Sequence, residues 1–295
     1  VIKRQVNKIV ATLKKEKFEP DVITGHWASP QMEIISELKT IYHCKTAVVL
    51  HGTGYIESPK FNAEEYLKNI DSLGARSLSQ AKQIKEILKL DKLPFVCNSG
   101  VPDEYLKNYR LNTEKYRNIK TWKITYVGRL VSYKNIDSTI KALSEIKDVK
   151  WEFNIVGDGA SRTELEELAQ NLNCADKVHF WGRVSRDKVM QILEDTHIFV
   201  MISTNEIFGL VYLEAMAASC LTIASKNGGV DGIIKCEKNG FLCEEGNDKE
   251  LHSILNRITK KEIDEISNIV EMGYKTAREY SDSEVARVYI KNITQ

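Results

Sequence analysis

The chain of 295 residues carries 42 Lys plus Arg against 41 Asp plus Glu, a formal net charge of +1, with 42% hydrophobic and 28% charged residues. That length fits two domains at about 100–200 residues each, the composition excludes an intrinsically disordered chain, and the charge balance argues against a dedicated nucleic-acid binder, which needs a basic excess. No apolar run approaches the ~20 residues that span a bilayer and no signal-peptide pattern opens the chain; the 6 Cys form no CxxC or zinc-like cluster, so reduced thiols in a cytoplasmic protein are expected.

The opening stretch, Val1 to Phe18, sets Val1, Ile2, Val6, Ile9, Val10 and Leu13 at helical spacing, with Lys and Arg on the other face. It starts on Val rather than Met and reads as the middle of a fold, so a preceding segment or a covering partner subunit is expected. Strands are then expected at DVITGHW, KTAVVLH, DSLGARS and PFVCN, with helices over Gln31–Tyr42, Ala63–Asn69 and Gln80–Leu90 between them. A polar stretch, Thr113–Thr121, breaks the pattern. It restarts at Trp122 with WKITYVG, WEFNIVG, KVHFWG, HIFVMIS, LTIAS and GFLC, nearly all followed by helical periodicity. Continuous Val/Ile/Phe strands alternating with helices specify parallel sheets covered on both faces. Two such runs imply two doubly wound α/β domains, residues 1–118 and 119–280, followed by a helix at 281–295.

In open parallel sheets, ligands bind at the carboxyl ends of the strands. Those positions hold His26, His51 with Gly52-Thr53-Gly54, Gly128 and Arg129 with Lys134 close behind, Asp158-Gly159, Gly182-Arg183, the segment Thr204 to Leu210, and Asn227-Gly228-Gly229. The strongest element is EIFGLVYLE, with Glu206 in a loop, a helix opening at Phe208-Gly209-Leu210, and Glu214 about one turn inside it. The free N–H groups at such a helix start favour an anion, and Gly209 allows its close approach. Glu214 can accept hydrogen bonds from adjacent ribose hydroxyls, and Glu206 can hold those of a second polyol. A solvated loop acid and a surface helix acid would be the plain alternative, but the AMAA that follows Glu214 is apolar and small. Arg129 and Lys134 place two fixed cations at one strand mouth, able to neutralise a diphosphate without a metal.

Gly157-Asp158-Gly159 has the start of a dinucleotide fingerprint, but Arg162 stands where the third glycine belongs, so a strand-to-helix turn is expected. For Gly228-Gly229 a phosphate or sugar contact and a plain turn fit equally. His51, after an apolar strand and before a flexible Gly-Thr-Gly, is a candidate substrate contact; His26 has a comparable place in TGHWASP. P-loop, HExxH and GxSxG motifs are absent.

Together these residues resemble the retaining glycosyltransferases of family 4, which have the GT-B fold of two Rossmann-like domains. VGRLVSYKNID resembles that family's Gly-Arg-Leu…Lys-Gly segment, with Asn135 where Gly is usual. IVGDGASRTELEELA, VHFWGRVSRDKVMQIL, FVMISTNEIFGLVYLEAMA and NGGVDGIIKCEKNGFLCEEGN follow in the family's order, and Glu206 and Glu214 match its paired glutamates. DVITGHWASP, VVLHGTG and NSGVPDEYL fit more loosely, with Pro102 at a usual Asp position. The resemblance implies transfer of a sugar, with retention, from a nucleotide-diphosphate sugar such as a UDP- or GDP-sugar to a glycan or lipid-linked acceptor, without a bound metal or other cofactor. It implies that Arg129 and Lys134 bind the diphosphate, assisted by the Phe208, Gly209 and Leu210 amides. Glu214 would hold the ribose, Glu206 the transferred sugar, Gly182-Arg183 would lie beside the base, and His51 would reach the sugar from the first domain. It leaves room for peripheral membrane contact, and the first domain reads as lacking its opening strands. A nucleotide-sugar epimerase on the same fold and a non-catalytic nucleotide-sugar-binding subunit are the rival readings.

Overall fold

The computed structural model describes residues 1–294, which divide into two units, 1–99 with 283–294 and 100–282. In the first unit the elements run α1 (Ile2–Lys15), β1 (Val22–His26), α2 (Gln31–Tyr42), β2 (Lys45–Leu50), α3 (Ala63–Leu67), β3 (Ser72–Ala75), α4 (Leu78–Ile87) and β4 (Phe95–Val96). The four strands form a parallel sheet in the order β1-β2-β3-β4. Five of the six residues of β2 are buried, as a central strand of β-branched and aliphatic character requires. The core of this unit gathers Met32 and Ile35 from α2, Val48 and Leu50 from β2, and Ala81 and Ile84 from α4. The amphipathic α1 lies against α2, with Val6 its one buried residue.

The second unit contains α5 (Asp103–Asn108), β5 (Trp122–Val127), α6 (Ile136–Ser144), β6 (Trp151–Val156), α7 (Arg162–Asn171), β7 (Val178–Gly182), α8 (Arg186–Glu194), β8 (Ile198–Met201), α9 (Leu210–Ala217), β9 (Leu221–Ser225), β10 (Phe241–Cys243), α10 (Asp248–Thr259) and α11 (Ile263–Glu279). Its parallel sheet has the order β10-β9-β8-β5-β6-β7. Every residue of β8 and β9 is buried. α6 packs on α7 and α10, while α8, α9 and α11 form a second group. Local sequence fixes several helix starts: Ser185 and Asn247 cap α8 and α10, and Glu262 and Glu265 make a capping box on α11. The last helix, α12 (Asp282–Thr294), joins the first unit, where Ser72 donates to the Asn292 carbonyl and the rings of Tyr289 and Phe95 lie 6.2 Å apart.

The first division falls after Ser99, not after residue 118. Polarity misleads there: Val101, Leu106, Tyr109 and Tyr116 belong to the second unit's core, and the Tyr116 hydroxyl lies 2.7 Å from the His197 carbonyl while accepting from the Leu221 N–H at 3.0 Å. The two chain passages run side by side, with the Val101 N–H donating to the Tyr280 carbonyl and the Asp282 N–H to the Val101 carbonyl at 2.8 and 2.9 Å. All six cysteines are free thiols, five of them buried.

His197, just before β8, gives the second unit an acid-sensitive point. Its Nδ1 accepts from the Lys123 N–H at 2.9 Å and its Nε2 lies 3.2 Å from the Lys115 carbonyl, an arrangement that suits the neutral ring. Burial, then the Lys115 charge, push its pKa down to about 4. The unfolded chain, near its usual ~6.5, therefore binds a proton that the folded chain refuses. Stability from this group is complete above pH ~6.5 and falls as pH drops toward ~4, by up to about 3 kcal/mol. Urea melts from pH 7 to 4.5 should show the loss, with a shallower dependence in His197→Gln; equal slopes would refute the assignment.

Candidate functional site

The order of the second sheet makes β5 its reversal point: the chain proceeds from β5 outward to β6 and β7, then returns to β8 on the other side. The loop after β5 takes the chain toward one side of the sheet and the loop after β8 toward the other, the kind of reversal point beside which such sheets bind ligands. One loop carries Gly128, Arg129 and Lys134; the other carries Glu206 and leads through Phe208 and Gly209 to Leu210, the first residue of α9.

Lys134 Nζ and Glu206 form an ion pair, each side chain only 13% exposed. The pair holds the amine and the carboxylate at one place, and the amine remains able to share its other two protons with an incoming anion. Arg129 is oriented by the Tyr133 hydroxyl, 2.7 Å from its guanidinium, and the Tyr133 carbonyl accepts from the Thr204 N–H at 2.8 Å. Asn135 completes the tie between the loops, with its Nδ2 donating to the Ile202 carbonyl at 2.8 Å and to Thr204 Oγ1 at 3.0 Å. Its φ of +51° explains why this position suits Gly or Asn: the left-handed region penalises most side chains, and Asn tolerates it.

Gly209 caps α9 at φ +77°, and a Cβ there would lie 2.4 Å from the Tyr212 ring, which is locked by a 2.6 Å hydroxyl bond to the Met201 carbonyl. Phe208 is buried in the core, so its backbone is fixed while the first amides of α9 lack intrahelical acceptors. Glu214, one turn in, is 8% exposed and pairs with Arg186 Nη2 at 2.5 Å, the guanidinium itself lying over the Tyr105 ring. Gly182 has φ +66° and its carbonyl accepts from the Gly157 N–H at 2.8 Å; Arg183 follows and is exposed.

Gly157-Asp158-Gly159 is a turn, as its sequence implies, and also a backbone junction. The Gly128 N–H donates to the Val156 carbonyl at 2.9 Å and the Leu130 N–H to the Asp158 carbonyl at 3.1 Å. A Cβ on Gly157 would sit 1.9 Å from the Gly128 carbonyl oxygen. Gly229 likewise admits the Phe208 backbone, which a Cβ would meet at 2.3 Å, so the loop after β9 braces the Glu206 loop.

The structure thus brings Arg129, Lys134, Glu206, Phe208, Gly209 and Leu210 to one reversal point, with Glu214 one turn deeper. His51 belongs to the first unit, where its Nε2 lies 2.8 Å from His26 Nδ1 and its ring stacks on Trp27 at 4.5 Å between centroids. Burial, then the charges of Arg76 and His26, push the His51 pKa down to about 4, so the ring is neutral at pH 7. Arg186 and Tyr133 went unrecognised in the sequence. Arg186 lies 28 residues before Glu214 as an ordinary polar residue at a helix start, whereas Tyr133 stands four residues after Arg129, a spacing that could have drawn notice. Among the described residues, no group of three or more His, Cys, Asp or Glu could hold a metal, and no helix is long and apolar enough to cross a membrane.

Residues 110–276 match the family model "Glycosyl transferases group 1". An uncharacterized glycosyltransferase of Methanocaldococcus jannaschii is 29% identical over 247 residues, 82% of this chain and 67% of the relative. The N-acetyl-alpha-D-glucosaminyl L-malate synthase of Bacillus anthracis is 27% identical over 237 residues, 77% of this chain and 62% of the relative. The chain therefore spans about two thirds of the length of these relatives. Among solved structures, Anabaena HepE in complex with UDP superposes with a TM-score of 0.78 at 20% identity, over 98% of this chain and 81% of that one. Likeness at that identity shows the fold: two Rossmann-like units of the GT-B class.

Proposed function

The chain belongs to the glycosyl transferases group 1 family, and from that premise we propose that it takes part in retaining transfer of a sugar from a nucleotide-diphosphate sugar to a glycan or lipid-linked acceptor in glycoconjugate synthesis. The observation that carries this reading is the meeting of Arg129, Lys134, Glu206 and the start of α9 at the reversal point of the second sheet. Two cations and a helix N-terminus supply the charge that a departing diphosphate needs. Arg129 and Lys134 bind that diphosphate, Glu214 the ribose, Glu206 the sugar hydroxyls, and Gly182-Arg183 flank the base. In the transfer, the bond from the anomeric carbon to the diphosphate oxygen breaks and one to the acceptor oxygen forms on the same face. The acceptor's proton passes to the departing diphosphate. His51, neutral at pH 7, can donate to or accept from a sugar hydroxyl. UDP is the first nucleotide to try, since HepE was solved with it.

The two glutamates give the test. Glu214→Gln should weaken UDP or GDP binding about tenfold, about 1.4 kcal/mol, because its partner is the ribose of the bare nucleotide. Glu206→Gln should leave that affinity within about twofold, under half a kcal/mol, and lower turnover of the intact donor. Calorimetry with the bare nucleotides, together with product formation from the donor sugar, reads both. The opposite order would refute the division of roles, and no nucleotide binding by the intact chain would refute the donor site.

A further inference from the structure

The first unit has its own carboxyl-end edge. Register pairs His26 with Val49 and Leu50 with Ala75, so His26, His51, Arg76 and the segment Cys97–Ser99 follow the four strand ends along one side of the sheet. Arg76 is half-buried, and its guanidinium is held by neutral groups, the Ser99 hydroxyl and the Cys97 thiol. Among the described residues it has no carboxylate partner, which is unusual for a guanidinium withdrawn from water. Gln80, 5% exposed at the start of α4, binds the Arg76 N–H through its Oε1 at 2.7 Å, while its Nε2 is buried with no partner among the described residues. Trp27 stands at φ +79°, a left-handed conformation costly for a bulky side chain, and stacks on His51.

We infer that this edge, built from Arg76, His26, His51 and Ser99, is an oxyanion-binding site that takes a phosphate or carboxylate group. An oxyanion supplies the countercharge Arg76 lacks and accepts from the guanidinium, the hydroxyl and the imidazole N–H groups together. The charged group that acts on both rings is Arg76; the Tyr289 ring of α12 lies 5.9 Å from that of His26, Trp27 stacks on His51, and Cys97 after β4 lies against Arg76 rather than the rings; no carboxylate is recorded among them. Burial and then Arg76 lower both imidazoles. An anion beside Arg76 offsets the second effect, so binding draws protons onto the pair and tightens as pH falls. Taken with the proposed transferase reading, on which only this clause rests, the acceptor carries an anionic group.

The test uses the whole chain and follows the His26 and His51 ring signals by NMR while inorganic phosphate is added. The expected result is a rise of the His51 pKa by about one unit or more, with phosphate affinity lowered at least tenfold in Arg76→Gln and partly kept in Arg76→Lys. Vesicles of phosphatidylinositol in phosphatidylcholine form the second arm. A response to free phosphate identifies a soluble anion, and a response to the vesicles alone identifies a lipid headgroup; either supports the site. Ring signals unmoved in both arms, or unchanged phosphate binding in a folded Arg76→Gln chain, would overturn it. UDP titration of the same samples separates the two readings, because it reports the second unit and should be unaffected by Arg76→Gln.

Discussion

Lys134→Ala should lower sugar transfer by 10²–10³-fold, on the order of 3–4 kcal/mol of transition-state stabilisation. The amine is expected to meet charge that grows as the diphosphate leaves, in a place where water is scarce: both members of its pair with Glu206 are 13% exposed. Removing it also strands the Glu206 carboxylate, and breaking a buried pair from one side costs about 3–5 kcal/mol in the well-buried limit. A loss of activity could therefore be a loss of fold. The double variant Lys134→Ala with Glu206→Gln separates the two, because it removes the orphaned charge. Thermal stability should recover toward the parent while transfer stays low. Near-parental turnover in Lys134→Ala would sink the assignment, whatever its stability.

Gly157→Val should have the largest effect on stability. Gly157 has φ +132°, and its missing Cβ leaves room for the Gly128 carbonyl oxygen at 1.9 Å. Backbone sits on backbone there, so no side chain can rotate away. The clash must push the Gly128-Arg129 loop off β6 and break the bonds from Gly128 to Val156 and from Gly157 to Gly182. A cost of about 3–5 kcal/mol corresponds to a fall of roughly 6–20 °C in the melting temperature of a unit this size. Nucleotide affinity should fall as well, because Arg129 rides on the displaced loop. Scanning calorimetry with a UDP titration checks both, and a melting temperature within two degrees of the parent would show that the loop accommodates the methyl groups.

The sheet strands were legible because their periodicity is stark: β2, β8 and β9 are short apolar runs bounded by turns, and little else can be made of KTAVVL or LTIAS. The Glu206 loop was legible because glycine, aromatic and acid stand together. The first unit's limit was not, because Thr113–Thr121 looks like a linker while Tyr116 holds three backbone groups through one hydroxyl. A buried anchor in a polar stretch leaves no periodic trace. Pairings such as Arg186 with Glu214, or Asn135 with Ile202 and Thr204, are invisible for the same reason: they join residues that only the β8–β5 neighbourhood brings together. Arg76 sits inside the DSLGARS strand segment, and nothing in the sequence marks it, because its neutral partners Cys97 and Ser99 come from the next strand end.

The two passages of the chain at Ser99–Gly100 and Asp282–Ser283 set the order in which the protein can be made. Unit 100–282 is one uninterrupted stretch and can close as soon as it leaves the ribosome. The first unit cannot. Its four strands emerge first, but α12, with Tyr289 set against the β1 and β4 residues His26 and Phe95, is translated only after the whole of the second unit. At about 5–20 residues per second, the early sheet waits on the order of ten seconds or more for its last helix. During that interval the side of the sheet that α12 covers stays open to solvent, and a stall within codons 100–282 would prolong its exposure.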